Sequence, residues 1–309
     1  MAQQPGPRND LGNLGGASQG RETWSIAGHQ PVRLLIPADT APDNVDLFLA
    51  SHGRTDAEVL TSYVYSRNRS KGDKSEPDHR RYRDWRQALR SIGLLYERRP
   101  DADGEDGASP NRTLHITDLG NAVRRWRESR ELTAENAPVL GRYAAQALSA
   151  CQLRNPTDEG SGYGNRMVVF PYAFIWRAMI RLDGKISSEE LNRAILRTNN
   201  EDDLEEAIER IAQARRSGNV EGLGSEVATD PKRKHDRIGI WMSLASFGWM
   251  LINDKRAQAT WYTIPRNMRP ILEAGASLKR RHLTFSNDAD YVEHISSQAC
   301  LPPDVRGFS

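Results

Sequence analysis

The stretch DHRRYRDWRQALRSIGLLYE, residues 78–97, decides how the rest of the chain is read. Tyr82, Trp85, Leu89 and Ile92 recur at three- and four-residue steps, the spacing of one buried helix face. Gly93 follows, the residue type that most readily takes the left-handed conformation ending a helix. Leu94, Leu95 and Tyr96 then read as a strand, residues 99–112 as a turn rich in Pro, Gly and Asp, and Thr113 to Ile116 as the returning strand. Thr117 caps a further helix through Leu119, Val123 and Trp126. Helix, hairpin and helix within residues 78–130 is the order of a winged-helix unit.

Working outward, the same order returns at residues 231–278. Ile238, Trp241, Leu244 and Ala245 mark a helix, Trp249 to Ile252 a strand, and Thr260 to Ile264 the return strand. Pro265 opens a short helix, a favourable first-turn position. Ser91-Ile92-Gly93-Leu94-Leu95 parallels Ser246-Phe247-Gly248-Trp249-Met250. Between the two lies a second winged-helix-like core at 167–216: a helix through Phe174 and Ala178, the turn Asp183-Gly184-Lys185, a short strand at Ile186, and two further helices. Pro171 is tolerable there only in a first turn. The remainder divides into a disordered arm at 1–20, a strand and two helices at 21–77 broken near Gly53, a helical connector at 131–166, and a Gly-rich linker at 217–230. Residues 279–309 read as a tail, or as a linker to a missing nuclease domain. The expected fold class is mainly α with small β-hairpins (α+β), as tandem winged-helix or helix-turn-helix domains.

Composition bounds this without naming a partner. The 309 residues are 38% hydrophobic and 27% charged, with no apolar run long enough for a membrane span. No signal peptide opens the chain. Cys151 and Cys300 cannot form a disulfide scaffold, and the expected compartment is the cytoplasm. Net charge is only +2, so distribution matters more than the total. Arg80, Arg81, Arg83, Arg86 and Arg90 crowd one segment, and Lys232, Arg233, Lys234 and Arg237 another.

Three blocks carry a family resemblance. They are Arg83 to Leu94 with Leu114 to Gly120; Phe170 to Ser187 with Asn199, Asn200 and Ile208 to Arg215; and Trp241 to Trp249 with Trp261 to Pro265. Over roughly residues 78–275 the chain resembles the recognition part of type IIS restriction and nicking endonucleases of the AlwI kind, and more distantly the FokI recognition region. The resemblance implies sequence-specific binding of double-stranded DNA, with a PD-(D/E)xK nuclease following the recognition part. The chain departs there: it ends at Leu301-Pro302-Pro303-Asp304, about where that domain would begin. The implied Mg²⁺ then belongs to a nuclease domain or subunit outside this chain, which itself calls for no cofactor.

No catalytic or metal site is identified. Pro42-Asp43 and Pro77-Asp78 read as helix caps, and Asp183-Gly184-Lys185 as a turn. The seven histidines lack metal-ligand spacing, and Gly162-Tyr163-Gly164 lacks a P-loop lysine. Cys151 and Trp24 read as core, and Arg124, Arg125 and Arg127 as exposed surface. A helix just before a wing would enter the major groove, where Arg reads guanine and Gln reads adenine. Arg86, Gln87 and Arg90 are therefore the expected base readers, with Arg83 on the same face and Arg80 and Arg81 better placed for phosphates. Lys232, Arg233, Lys234 and Arg237 read equally as phosphate contacts or as a solubilising linker. A stand-alone winged-helix regulator of a phage-defence operon shares these features, and a protein-interaction scaffold shares the fold.

Overall fold

Helices α1 (Asn44–Leu49), α2 (Asp56–Lys71) and α3 (His79–Ser91) lead into a hairpin of β1 (Leu95–Arg98) and β2 (Thr113–Ile116), closed by α4 (Asp118–Ser129). The computed structural model describes Trp24 and residues 44–71, 79–98, 112–129, 133, 135–157, 167–227, 231–256 and 259–303; at 64–71, 79–81 and 231–237 this is the helical backbone alone. The expected disordered arm at 1–20, most of the N-terminal strand, the hairpin turn at 99–111, Asp43, Asp78 and Gly162-Tyr163-Gly164 lie outside the described residues.

Three local signals read from the sequence, at Gly53, Gly93 and Thr117, act in this first half as expected. The break between α1 and α2 falls at Gly53, with φ +74°. Thr55 and Glu58 then open α2 reciprocally: the Thr55 N–H donates to Glu58 Oε2 and the Glu58 N–H to Thr55 Oγ1. Gly93 ends α3 at φ +84°. Thr117 Oγ1 accepts from the Gly120 N–H at 3.0 Å and donates to the Gly93 carbonyl at 2.7 Å, so one hydroxyl caps α4 and ties it to the end of α3. β1 and β2 pair antiparallel, Leu95 opposite Ile116. The chain between α1 and α2 runs along the other edge of β2: Gly53 N–H donates to the Leu114 carbonyl, Leu114 N–H to Arg54, and Asp56 N–H to Arg112.

The second half comprises α5 (Ala137–Leu148), α6 (Pro171–Arg181), β3 (Lys185–Ser187), α7 (Ser188–Arg193), α8 (Leu204–Ser217), α9 (Pro231–Ala245), β4 (Ile252–Lys255), β5 (Thr260–Thr263), α10 (Arg269–Ser277) and α11 (Asp288–Ser297). Pro171 occupies the first turn of α6, as required. Ser187 and Glu190 form a capping box that starts α7 directly from β3. The expected separation of 167–216 from 231–278 gives way to a single unit. β3 pairs antiparallel with β5, and β5 with β4, in the sheet order β3-β5-β4. The reason is backbone satisfaction: three residues of β3 cannot form a sheet alone and take their partners from the distant hairpin. β4 also begins at Ile252 rather than Trp249, because residues 246–250 turn through Phe247 and Gly248, both at positive φ.

Both halves therefore show the order helix, short extended segment, helix, helix, two-stranded hairpin, helix, with α8 additional in the second. A continuous apolar core joins them. Trp24 reaches into its second-half portion, edge-on to Phe174 and Trp241 at 5.5 Å, with Nε1 donating to the Thr198 carbonyl. The expectation of a tail beyond 279 is also corrected. Tyr291, Val292 and Ile295 of α11 are buried, and the helix packs back onto β1, α4 and α5. Among the described residues the fold is helix-rich α+β with two small antiparallel sheets. No helix among the described residues is long and apolar enough to cross a membrane.

Candidate nucleic-acid interface

Helices α3 and α9 each lead into a hairpin; α9 carries its basic residues in its first half and buried residues in its second, whereas in α3 the basic residues run from Arg80 to Arg90 and the buried ones from Tyr82 to Ser91. In α3 the buried stripe is Tyr82, Trp85, Ala88, Leu89 and Arg90, leaving Arg83 exposed. Arg83 makes no ion pair or hydrogen bond among the described residues. Arg80 and Arg81 lie on the described backbone of α3, and Lys232, Arg233, Lys234 and Arg237 on that of α9; their side chains are outside the described residues.

The three expected base readers are held by the protein itself. Arg86 bridges Asp56, at 2.7 Å, and Glu97, at 2.9 Å. Arg90 pairs with Asp288 and approaches Glu97 at 3.8 Å, while Arg112 reaches the other oxygen of Glu97 at 3.2 Å. Gln87 Nε2 donates to the Thr157 carbonyl. Glu97 is the cause. It faces inward from β1 with only 4% of its side chain exposed, and a carboxylate buried to that degree requires cations around it. Burial opposes the charge on Arg86, but Glu97 and Asp56 outweigh it and raise its pKa. Tyr82 completes the group, donating to Asp56 Oδ1 at 2.6 Å; burial and that carboxylate push its phenol well above the ordinary range. Arg86 and Arg90 thus fix the angle between α3 and the hairpin.

Arg127, expected on the surface, is likewise internal. Its side chain is fully buried and forks onto Asp46, at 2.5 and 2.9 Å, joining α4 to α1. A signal for the first network was present in the sequence: Glu97 continues the apolar run Leu94-Leu95-Tyr96 at an inward position, one strand away from a row of arginines. Nothing comparable marks Asp46 or Asp288.

The second hairpin is more exposed. All four residues of β4 face solvent, including Lys255, and Ile252 is 56% exposed. Arg215 and Arg256 lie over the Trp261 ring, at 5.6 and 5.8 Å from its centre. Beside it is a cavity of about 510 Å³ lined by Ala214, Val220, Leu223 and Trp261. Its most buried carboxylate, Glu190, is already engaged by the Ser187 N–H and by Arg215. No group of three or more His, Cys, Asp or Glu side chains among the described residues is arranged to hold a metal. Asp183 sits in a turn at φ +59°, followed by Gly184 at +77°. Cys151 is buried, and burial pushes its thiol above the ordinary range.

No family profile and no curated protein sequence matches the chain. Among solved structures, the BpuJ1 endonuclease binding domain, crystallised in complex with pyrene- and phenanthrene-modified DNA, aligns with a TM-score of 0.50 at 10% identity. The alignment covers 83% of this chain and 90% of that one. At that identity the likeness is one of fold: most of this chain is arranged as the binding domain of that endonuclease is arranged.

Proposed function

We propose that the chain is a sequence-specific recognition module for double-stranded DNA, the binding part of a type IIS restriction or nicking endonuclease. Two winged-helix units, rather than three, would make the contacts, one built around α3 and β1–β2, the other around α9 and β4–β5. The observation that carries this is the repeated helix-and-hairpin arrangement, basic at the start of each helix, in a fold shared with a domain solved on DNA. Arg83, with Arg80 and Arg81, would meet the duplex at α3, and Lys232, Arg233, Lys234 and Arg237 at α9. Arg86 and Arg90 would hold the α3 hairpin at its working angle. Cleavage, and the Mg²⁺ it needs, would come from a following domain or a partner subunit.

The test is selection of bound duplexes from a random pool, followed by titration of the selected duplex against a scrambled one. Enrichment of a short motif is the expected result. Recovery of no motif would remove sequence-specific readout. Arg83→Ala should weaken binding to the selected duplex by about 1–3 kcal/mol if Arg83 reads a base. An equal loss on both duplexes would make it a phosphate contact.

A further inference from the structure

The segment between α10 and α11 is held against the molecule in a way that turns two cations outward. Arg280 is its anchor. One guanidinium nitrogen donates to the Gln146 carbonyl and to Ser149 Oγ, both at 3.0 Å, at the C-terminal end of α5. The other donates to Gln298 Oε1, beyond α11. A cation on the last carbonyls of a helix is favourable, so this attachment is electrostatically sound. His282 also faces inward, its ring 6.2 Å from that of Phe170. Burial alternates along the segment: Lys279, Arg281 and Leu283 are exposed, Arg280 and His282 half-buried. That alternation is the signature of extended chain lying on a surface. Lys279 and Arg281 have no ion pair among the described residues.

The segment also continues the α3 surface. Gln87 of α3 donates to the carbonyl of Thr157. Thr157 is joined through Asn155 to Gln152, and Gln152 Oε1 accepts from the Leu283 N–H at 2.8 Å. Arg90 meets Asp288 at the start of α11. A line of direct contacts thus runs from the face that bears Arg83 to the segment that bears Lys279 and Arg281, and the segment itself crosses from the second half of the chain to the first.

We propose that residues 278–285 form a basic strap whose Lys279 and Arg281 contact the phosphates of the duplex, extending the α3 face across the seam between the two halves. This rests on the reading of the chain as a DNA-recognition module. The strap would add affinity without sequence information, since phosphate contacts position a protein and bases specify it. Its ligand is the duplex backbone, and an acidic protein surface is the rival occupant that the test separates.

The experiment measures the dissociation constant of the full chain for the selected duplex and for a scrambled duplex, over a range of salt, for wild type and for Lys279→Ala/Arg281→Ala. Both positions are exposed, and thermal melting confirms an unchanged fold. The expected result is a weaker complex on both duplexes by the same factor, with the slope of log affinity against log salt shallower by about 2. Lys279→Glu/Arg281→Glu should weaken binding further. A wild-type complex whose affinity and salt slope are unchanged by either double variant would overturn the strap while leaving the DNA reading intact. A wild-type chain that binds neither duplex would overturn both.

Discussion

At the scale of single residues, similar arginines on one helix have different tasks because one carboxylate is buried. Arg86 and Arg83 are a turn apart on α3, yet Arg86 faces Glu97 and Arg83 faces solvent. Arg86→Ala should therefore destabilise the protein. Removing one partner of a buried pair costs about 3–5 kcal/mol; with Arg112 and Arg90 still near Glu97, about 2–3 kcal/mol is expected here. Chemical denaturation reads this directly, and adding Glu97→Gln to Arg86→Ala should restore part of the loss. Arg83→Ala should change stability by less than about 0.5 kcal/mol. A reversed order of the two effects would mean that Glu97 does not organise the helix. This partition was only half legible from the sequence. The arginine spacing is visible there, but which face meets a carboxylate depends on where β1 lies.

Elements are held together by close backbone approaches that permit no side chain. A Cβ placed on Gly120, in the first turn of α4, would stand 2.2 Å from the Leu94 carbonyl oxygen and 2.7 Å from Ile116 Cγ2. The first obstacle is backbone and cannot rotate away. Gly120→Ala should push α4 off the hairpin at a cost of about 3 kcal/mol or more, seen as a lowered denaturation midpoint. Gly53 supplies the contrast. It has φ +74° but nothing within 4 Å of its added Cβ, so Gly53→Ala should cost only about 1–2 kcal/mol of backbone strain. Equal costs at the two positions would show that α4 can shift freely. The stop at Gly93, the cap at Thr117 and the first-turn proline of α6 were readable because each signal acts within a few residues. The start of β4 was misplaced because Phe247 takes a left-handed conformation that its residue type does not announce.

Over the whole molecule, the β3–β5 pairing and the return of α11 pack together segments distant in sequence. A chain nicked near Gly218, between α8 and α9, should therefore stay associated. Gel filtration under native conditions should give one peak of intact size, whereas separation of the fragments would point to independent units. Three histidines contribute to the response to acid. Burial and neighbouring cations depress His115 (Arg98, His52), His282 (Arg154) and His294 (Arg280) below their ordinary value. The folded state then binds fewer protons than the unfolded chain between the depressed values and about pH 6.5, so stability is complete above that range and lost as pH falls through it. Denaturation midpoints measured from about pH 8 down to about pH 5 should decline, and His115→Gln should flatten part of the decline. A midpoint indifferent to pH would contradict neutral burial.

The sequence alone determined most of the helices, the stop at Gly93, the cap at Thr117, the existence of the two hairpins and the segments in which basic residues gather. Those features follow from periodicity and from short-range hydrogen bonds, which a few neighbouring residues control. Tertiary structure alone decided that the second and third blocks share a sheet, that the chain beyond residue 279 packs back through α11, and that Arg86, Gln87 and Arg90 pair with other parts of the chain. The physical reason is common to all three. An unpaired strand edge, an apolar helix face and a buried carboxylate each need a partner, and only the folded chain determines which residue supplies it.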